Sequence, residues 1–444
     1  MSVTRTPATP EPTPQQFTIT DTSVNDLIGS GQDGGVMDQV RAYIQRVRSG
    51  EMGALPAVAG FIVLCILFTA LSPYFLTDRN FANLLTQAAT LVMLAMALVF
   101  VILLGEIDLS AGVTSGVAMS IFVVLSDPGG IKMNWILALV ISLLVGVAIG
   151  TFIGFFVAKV GIPSFVVTLG LFLGFQGLQL IIIGDGGLYR IQQPEVLAIQ
   201  NSNMPAWAGW VMLVVMLLIS FGTAMLDRRR RGRAGVPNRT IILLWIRLAV
   251  IAIIGGVVIA LLNQNRGQVN ILNGKVVSGQ VVEGVPIVVP ITLVILWAGT
   301  FVLDRTKFGR YIYAVGGNPE AARRAGIKVT GIKWAAFGVC STLAVVSGIF
   351  SASKVGSVDA AFGRDIVLSG VAAAVVGGVS LFGGRGRLIH GAIGALVIAV
   401  ITNGLGLLNL PGGVNFLVTG GVLILAATVD AVSRVRAGGS LSRR

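Results

Sequence analysis

Charge is what this chain has least of. Of its 444 residues, 11% are Asp, Glu, Lys or Arg, while 55% are hydrophobic and the mean hydropathy is +0.88. A soluble domain carries about 25% charged residues. A surface this poor in charge cannot be covered by water, so lipid is its solvent. Histidine and cysteine are almost missing too: His390 stands alone, and Cys65 and Cys340 both fall inside apolar runs. Two isolated cysteines read as small core residues rather than a disulfide, and no His/Cys/carboxylate cluster points to a metal. The phosphate-loop pattern G-x-x-x-x-G-K-[ST] is absent, since Gly274-Lys275 is followed by Val276. The chain therefore has no ATPase machinery of its own.

What is there is a series of long apolar runs. Twelve spans are expected, at 54–76, 81–104, 108–125, 134–158, 163–183, 208–226, 240–262, 286–303, 332–352, 366–382, 388–408 and 414–431. Runs such as LALVISLLVGVAIGTFIGFFVA do not alternate, which excludes a membrane β-barrel. In hydrocarbon the backbone must satisfy itself, so the spans are helices. The fold class is all-α, a polytopic transmembrane bundle.

Basic residues orient it. With both termini inside, cytoplasmic segments hold 24 Lys and Arg and outside segments hold 7; Arg247 lies within a span and can snorkel. That bias favours an N-in, C-in arrangement. It also accounts for most of the net charge of +13 through topology and anionic lipid, so no nucleic acid is expected.

Residues 1–50 form a polar segment expected to be a cytoplasmic tail. Within it Val36, Val40, Ile44 and Val47 recur at helical spacing, which fits either an interfacial helix or a frayed linker. Residues 51–433 form the membrane domain, and 434–444 a basic tail. The 58 glycines, dense in GAIGALVIAVITNGLGLL, point to close helix packing. Loops 184–207 and 263–285 are the longest outside segments, and the second reads as a hairpin around Asn273-Gly274.

Three motifs carry mechanism. In GEIDLSAG, Glu106 and Asp108 stand between apolar runs with no base nearby in sequence. Asp108, with Ser110, can cap the following helix, or the two acids can face a pathway. In the 304–333 loop, Gly316 and Gly317 precede a helix signal. Asn318 caps, Pro319 fits the first turn, Glu320 suits the positive end, and Ala321, Ala322, Arg323 and Arg324 continue to Gly326, which stops it. A short basic helix here reads as a docking element, with an ordinary interhelical loop as the bland alternative. Third, Gly383, Gly384, Arg385 and Gly386 make a tight basic turn between Gly-rich runs. Gln176 and Asn403, polar within apolar spans, are pathway candidates or helix-packing residues.

GEIDLSAG, FGRYIYAVGGNPEAARRAGI, GGVSLFGGRG and LVTGGVLILAATVD resemble the permeases of bacterial ATP-driven monosaccharide importers, the ribose/xylose group. The segment 227–285 looks more like the xylose-type members. The resemblance implies that two copies form a pathway across the inner membrane. A soluble ATP-binding subunit, carrying ATP and Mg²⁺ that this chain does not bind, docks on 316–327. A separate extracytoplasmic sugar-binding protein delivers substrate. Other readings are an importer of a nucleoside or another small polar solute, and an ion-coupled carrier using Glu106 and Asp108.

Overall fold

The structure, a computed structural model, describes residues 53–233, 235, 241–267, 269–272, 275–279 and 281–436. The expected tail at 1–50, its apolar stripe and residues 437–444 lie outside the described residues. Helices occupy every position where a span is expected. In chain order they are α1 (Leu55–Leu71), α2 (Asp78–Ile102), α3 (Ala111–Ser126) and α4 (Trp135–Gly154, continued by a π turn to Val160). Then come α5 (Ser164–Ile183), the short α6 (Pro194–Asn201), α7 (Ala206–Arg233) and α8 (Ile241–Leu262). The rest are α9 (Val288–Arg305), α10 (Lys307–Gly317), α11 (Pro319–Arg324), α12 (Val329–Val355), α13 (Ile366–Val376), α14 (Leu388–Leu407) and α15 (Gly412–Arg436). Residues 434–436, expected in the tail, continue α15.

Two short ribbons complete the fold. Strand β1 (Leu188–Arg190) pairs antiparallel with β4 (Ser357–Asp359). Strands β2 (Val269–Leu272) and β3 (Lys275–Gly279) pair antiparallel as the expected hairpin.

Among the described residues nine helices are long and apolar enough to cross a membrane, and α1, α3 and α13 are shorter apolar helices. The expected span at 366–382 is cut to 11 residues. The cause is Gly377-Gly378. Gly378 has φ +98°, and a Cβ on Gly377 would overlap the His390 carbonyl. The chain leaves the helix there and turns through 377–387 before α14 begins.

The centre is α2. Its apolar stretch is 89% buried within the protein, against 6% for that of α8. Helices α12, α14, α13 and α9 pack around α2, and the largest buried side chains include Phe100, Phe337, Phe350, Met93 and Met96. Lipid tails are as apolar as leucine, so such packing is held by van der Waals fit and by hydrogen bonds rather than by escape from water. Glycine supplies the fit. Gly146, Gly150 and Gly154 of α4 face Val345, Phe337 and Trp334 of α12, with no space for a Cβ. Gly394 of α14 is pressed in the same way against the Ala373 carbonyl of α13.

These contacts predict a contrast. Gly394→Ala should destabilise the detergent-solubilised protein by ~1–3 kcal/mol, because the added carbon meets backbone that cannot yield. Gly170→Ala, where nothing lies within 4 Å, should leave the melting temperature unchanged or slightly raised. Thermal melting of both variants measures the difference.

Candidate functional site

One end of the bundle gathers the ends of α2, α4, α9 and α13 with the starts of α3, α5, α12 and α14. It carries the basic 304–333 stretch. Part of that stretch is helix: residues 304–305 close α9 and 329–333 open α12, leaving 306–328 as the connection. Thr306 caps α10 by accepting from Gly309 N–H at 3.3 Å, and α10 buries Gly309, Ile312 and Val315. Helix α10 was not anticipated. Its signal was present in the Thr306 cap and in Phe308, Ile312 and Val315 at spacings of 4 and 3.

Helix α11 begins where the Asn-Pro-Glu signal places it. Asn318 Oδ1 accepts from Ala321 N–H at 2.9 Å, Pro319 fills the first turn, and Gly326, at φ +82°, follows the end. Ala322 is buried and seats the helix. Glu320, Ala321, Arg323 and Arg324 face solvent, and Arg323 donates to Glu320 at 2.9 Å. This exposed i,i+3 pair adds only a few tenths of a kcal/mol. Its consequence is an ordered, charged face.

Behind α11 the chain meets the end of α2. Gly384 N–H donates to the Leu103 carbonyl at 2.8 Å. Gly316 is pressed against the same oxygen so closely that a Cβ would overlap it. The motifs around Gly316 and Gly383, far apart in sequence, therefore converge on one atom. Gly317 and Gly383 lie in this contact, and Arg385 C=O accepts from Ser380 N–H at 3.0 Å to close the turn. Tyr313 of α10 donates its hydroxyl to the Gly386 carbonyl at 3.0 Å, and Arg387 donates to Asp304 at 2.7 Å. Burial first, then the Asp304 charge, pushes the Tyr313 phenol up to about 12. It stays protonated at neutral pH and keeps its donor.

Glu106 has a base beside it after all. Lys333, in the first turns of α12, bonds its carboxylate, and both side chains are largely buried. Glu106, Lys333, Arg323 and Thr330 line one cavity of about 270 Å³ that also touches Pro163. A change in α11 is therefore next to the connector that follows α2.

Asp108 is fully buried. Its Oδ1 accepts from Ser110 N–H at 2.9 Å and Ser110 Oγ at 2.6 Å, and Cys340 Sγ lies 3.7 Å from Oδ2. That is a cap-like turn at the start of α3. The remaining two candidates lie elsewhere. Gln176 is half-buried on α5, where its neighbour Gln179 is the fully buried amide, donating to Val113 C=O at 3.4 Å. Asn403 is at the far end of the bundle, exchanging bonds with Asn80 at 2.9 and 3.0 Å.

The fold and site define a polytopic helical membrane protein with an ordered, charged helix on one end of the bundle. The chain belongs to the family described as the branched-chain amino acid transport system permease component, which it matches over residues 80–427. It is 32% identical to the xylose transport system permease protein of Escherichia coli K12 over 393 residues, 88% of this chain and 94% of that one. It is 29% identical to the xylose transport system permease protein of Haemophilus influenzae, over 85% of this chain and 95% of the relative. It is 28% identical to the ribose import permease protein of E. coli K12, over 88% and 96%. No solved structure matches the chain.

Removing one member of the Glu106–Lys333 pair strands a mostly buried charge. Glu106→Gln and Lys333→Met should each destabilise the protein by on the order of 1–3 kcal/mol, and the double variant by less than their sum. A double-mutant cycle on unfolding midpoints checks the coupling; strict additivity would show that the pair is not formed.

Proposed function

We propose that this chain is the membrane-spanning permease of an ATP-driven importer for a monosaccharide, xylose or a similar pentose or hexose. The observation that carries the cargo is likeness to a xylose permease over nearly nine-tenths of this chain. The family's own description names amino acids, but the ribose permease adds a second sugar carrier among the relatives.

In this reading the chain crosses the bacterial inner membrane twelve times, with both termini in the cytoplasm. Helices α1, α3 and α13 complete the count as short crossings within the bundle. Two copies form the pathway. A sugar-binding protein docks outside, and a soluble ATP-binding subunit docks inside on α11, against Glu320, Arg323 and Arg324. The chain binds neither ATP nor a metal itself; it supplies the path and the bistable packing.

The mechanism follows from what α11 touches. Closure of the ATP-binding subunits displaces α11. Arg323 and the buried Ala322 pass that displacement to the cavity holding Glu106 and Lys333, and through Gly316 to the Leu103 carbonyl. The end of α2 and the starts of α3 and α12 then shift together as packed elements, since close-packed interfaces switch between discrete arrangements. Glu106, Asp108 and Ser110 shape the inner gate, and Gln176 borders the path, while Asn403 joins α14 to α2.

Proteoliposomes holding the permease, its ATP-binding subunit and its binding protein should accumulate sugar with ATP and ignore a proton gradient. The isolated chain should not concentrate sugar at all, and accumulation by it would refute the reading. Glu320→Lys should leave the protein inserted, with ATP hydrolysis no longer driving uptake. Comparing ATP consumed with sugar accumulated in the same vesicles tests this.

A further inference from the structure

Helix α2 has two compositions. Residues 91–102 read LVMLAMALVFVI, without a polar side chain, whereas 80–90 read NFANLLTQAAT. The polar side chains at 80, 83, 86, 87 and 90 follow helical spacing, on the most central helix of the bundle. Polar groups at such a place are costly, and they face either a partner or a wet path.

Part of this stripe is spent on packing. Asn80 and Asn403 bond each other in both directions, and Asn403 also reaches Gln87 at 3.4 Å. The adjoining face is not closed in this way. Lys354, the last basic residue of α12, donates to Asn83 Oδ1 at 3.1 Å and to Thr86 Oγ1 at 2.6 Å. An ammonium has three donors, so one is left over. Among the described residues Lys354 makes no ion pair. One turn along α2, Thr90 Oγ1 accepts from Gln200 Nε2 at 3.4 Å. Gln200 is 4% exposed, and its Oε1 has no hydrogen-bond partner.

The surroundings are stiff. Ser347 donates to the Thr90 carbonyl at 2.8 Å, Ser353 Oγ accepts from Gln200 N–H at 3.1 Å, and Asn201 donates to the Ser353 carbonyl at 2.8 Å. Residues one turn apart on a helix face have Cβ atoms ~5–6 Å apart. A spare donor and an enclosed, unpartnered acceptor are thus held beside neighbouring turns of α2. A hydroxyl group both gives and takes a hydrogen bond, and a sugar carries a row of them. Apart from the single ammonium, the groups here are amides and hydroxyls, which suit a neutral polyhydroxy solute.

We propose that Lys354, Gln200, Thr86 and Thr90, with the exposed Asn83 and the half-buried Gln87 at its mouth, form a hydroxyl-binding station for a neutral monosaccharide. It lies at the end of the bundle opposite the basic loops. The proposal rests on the permease reading and gives that reading a site in this chain.

Two measurements test it. In the purified full-length permease, xylose at tens of millimolar should slow reductive methylation of Lys354 several-fold, read by mass spectrometry, while the exposed cytoplasmic-loop Lys328 reacts at an unchanged rate. In the complete ATP-driven system, Lys354→Met should lower xylose uptake at least tenfold and Thr86→Val about threefold at equal membrane abundance. If Lys354→Met fails to insert, the labelling and Thr86→Val decide. Unprotected Lys354 together with unchanged uptake by Thr86→Val would overturn the station. So would protection by inorganic phosphate rather than xylose, since that marks an anion site. A wild-type system that imports no sugar would instead overturn the permease reading itself.

Discussion

Buried backbone N–H and C=O groups that leave a helix must find partners within the protein. The chain leaves helical geometry at 103–110 and again at 377–387, and the two breaks satisfy each other. Gly384 donates to the Leu103 carbonyl, just past the end of α2, the most buried of the nine long apolar helices among the described residues. Around that bond the end of α10 is seated through Gly316, and the turn before α14 is held through Tyr313 and Gly386. Shifting this one carbonyl would unseat the ends of three helices. That is why a short surface helix beside it can reach the interior at all.

The two ends of the bundle use different polar chemistry. At the basic end, loops distant in sequence are joined by charge pairs: Glu106 with Lys333, Asp304 with Arg387, and Asp227 with Arg305. The last two are partly exposed, where solvent screening keeps both the cost and the gain small. At the other end, beside the exposed Arg364–Asp365 pair, the Asn80–Asn403 exchange joins neutral amides, and the Lys354 ammonium is held by an amide and a hydroxyl. Neutral pairs can be buried and broken without stranding a charge. In the reading proposed here, the basic end receives mechanical work and the opposite end meets the solute.

Much of this was legible along the chain. Every apolar helix stands where hydropathy put it, and α11 runs between its Asn318 cap and Gly326 as local rules require. Less was legible where local pattern competed with contacts. The apolar run at 366–382 is long enough for a full helix, but the chain leaves helical geometry at Gly377-Gly378, where Gly377 packs directly against the His390 carbonyl. Gln176 drew attention as a polar residue in an apolar run. Its neighbour Gln179 is the one turned inward, because α3 packs on that face of α5.

Composition and hydropathy alone therefore determined a helical membrane bundle, since those properties depend on the solvent and on local geometry. Only the folded chain decided that Glu106 meets Lys333, 227 residues away, and that Lys354 meets Thr86, 268 residues away. No periodicity encodes such pairs. They exist because glycine-lined helices approach closely enough for side chains to reach across, and that approach is a property of the packed bundle.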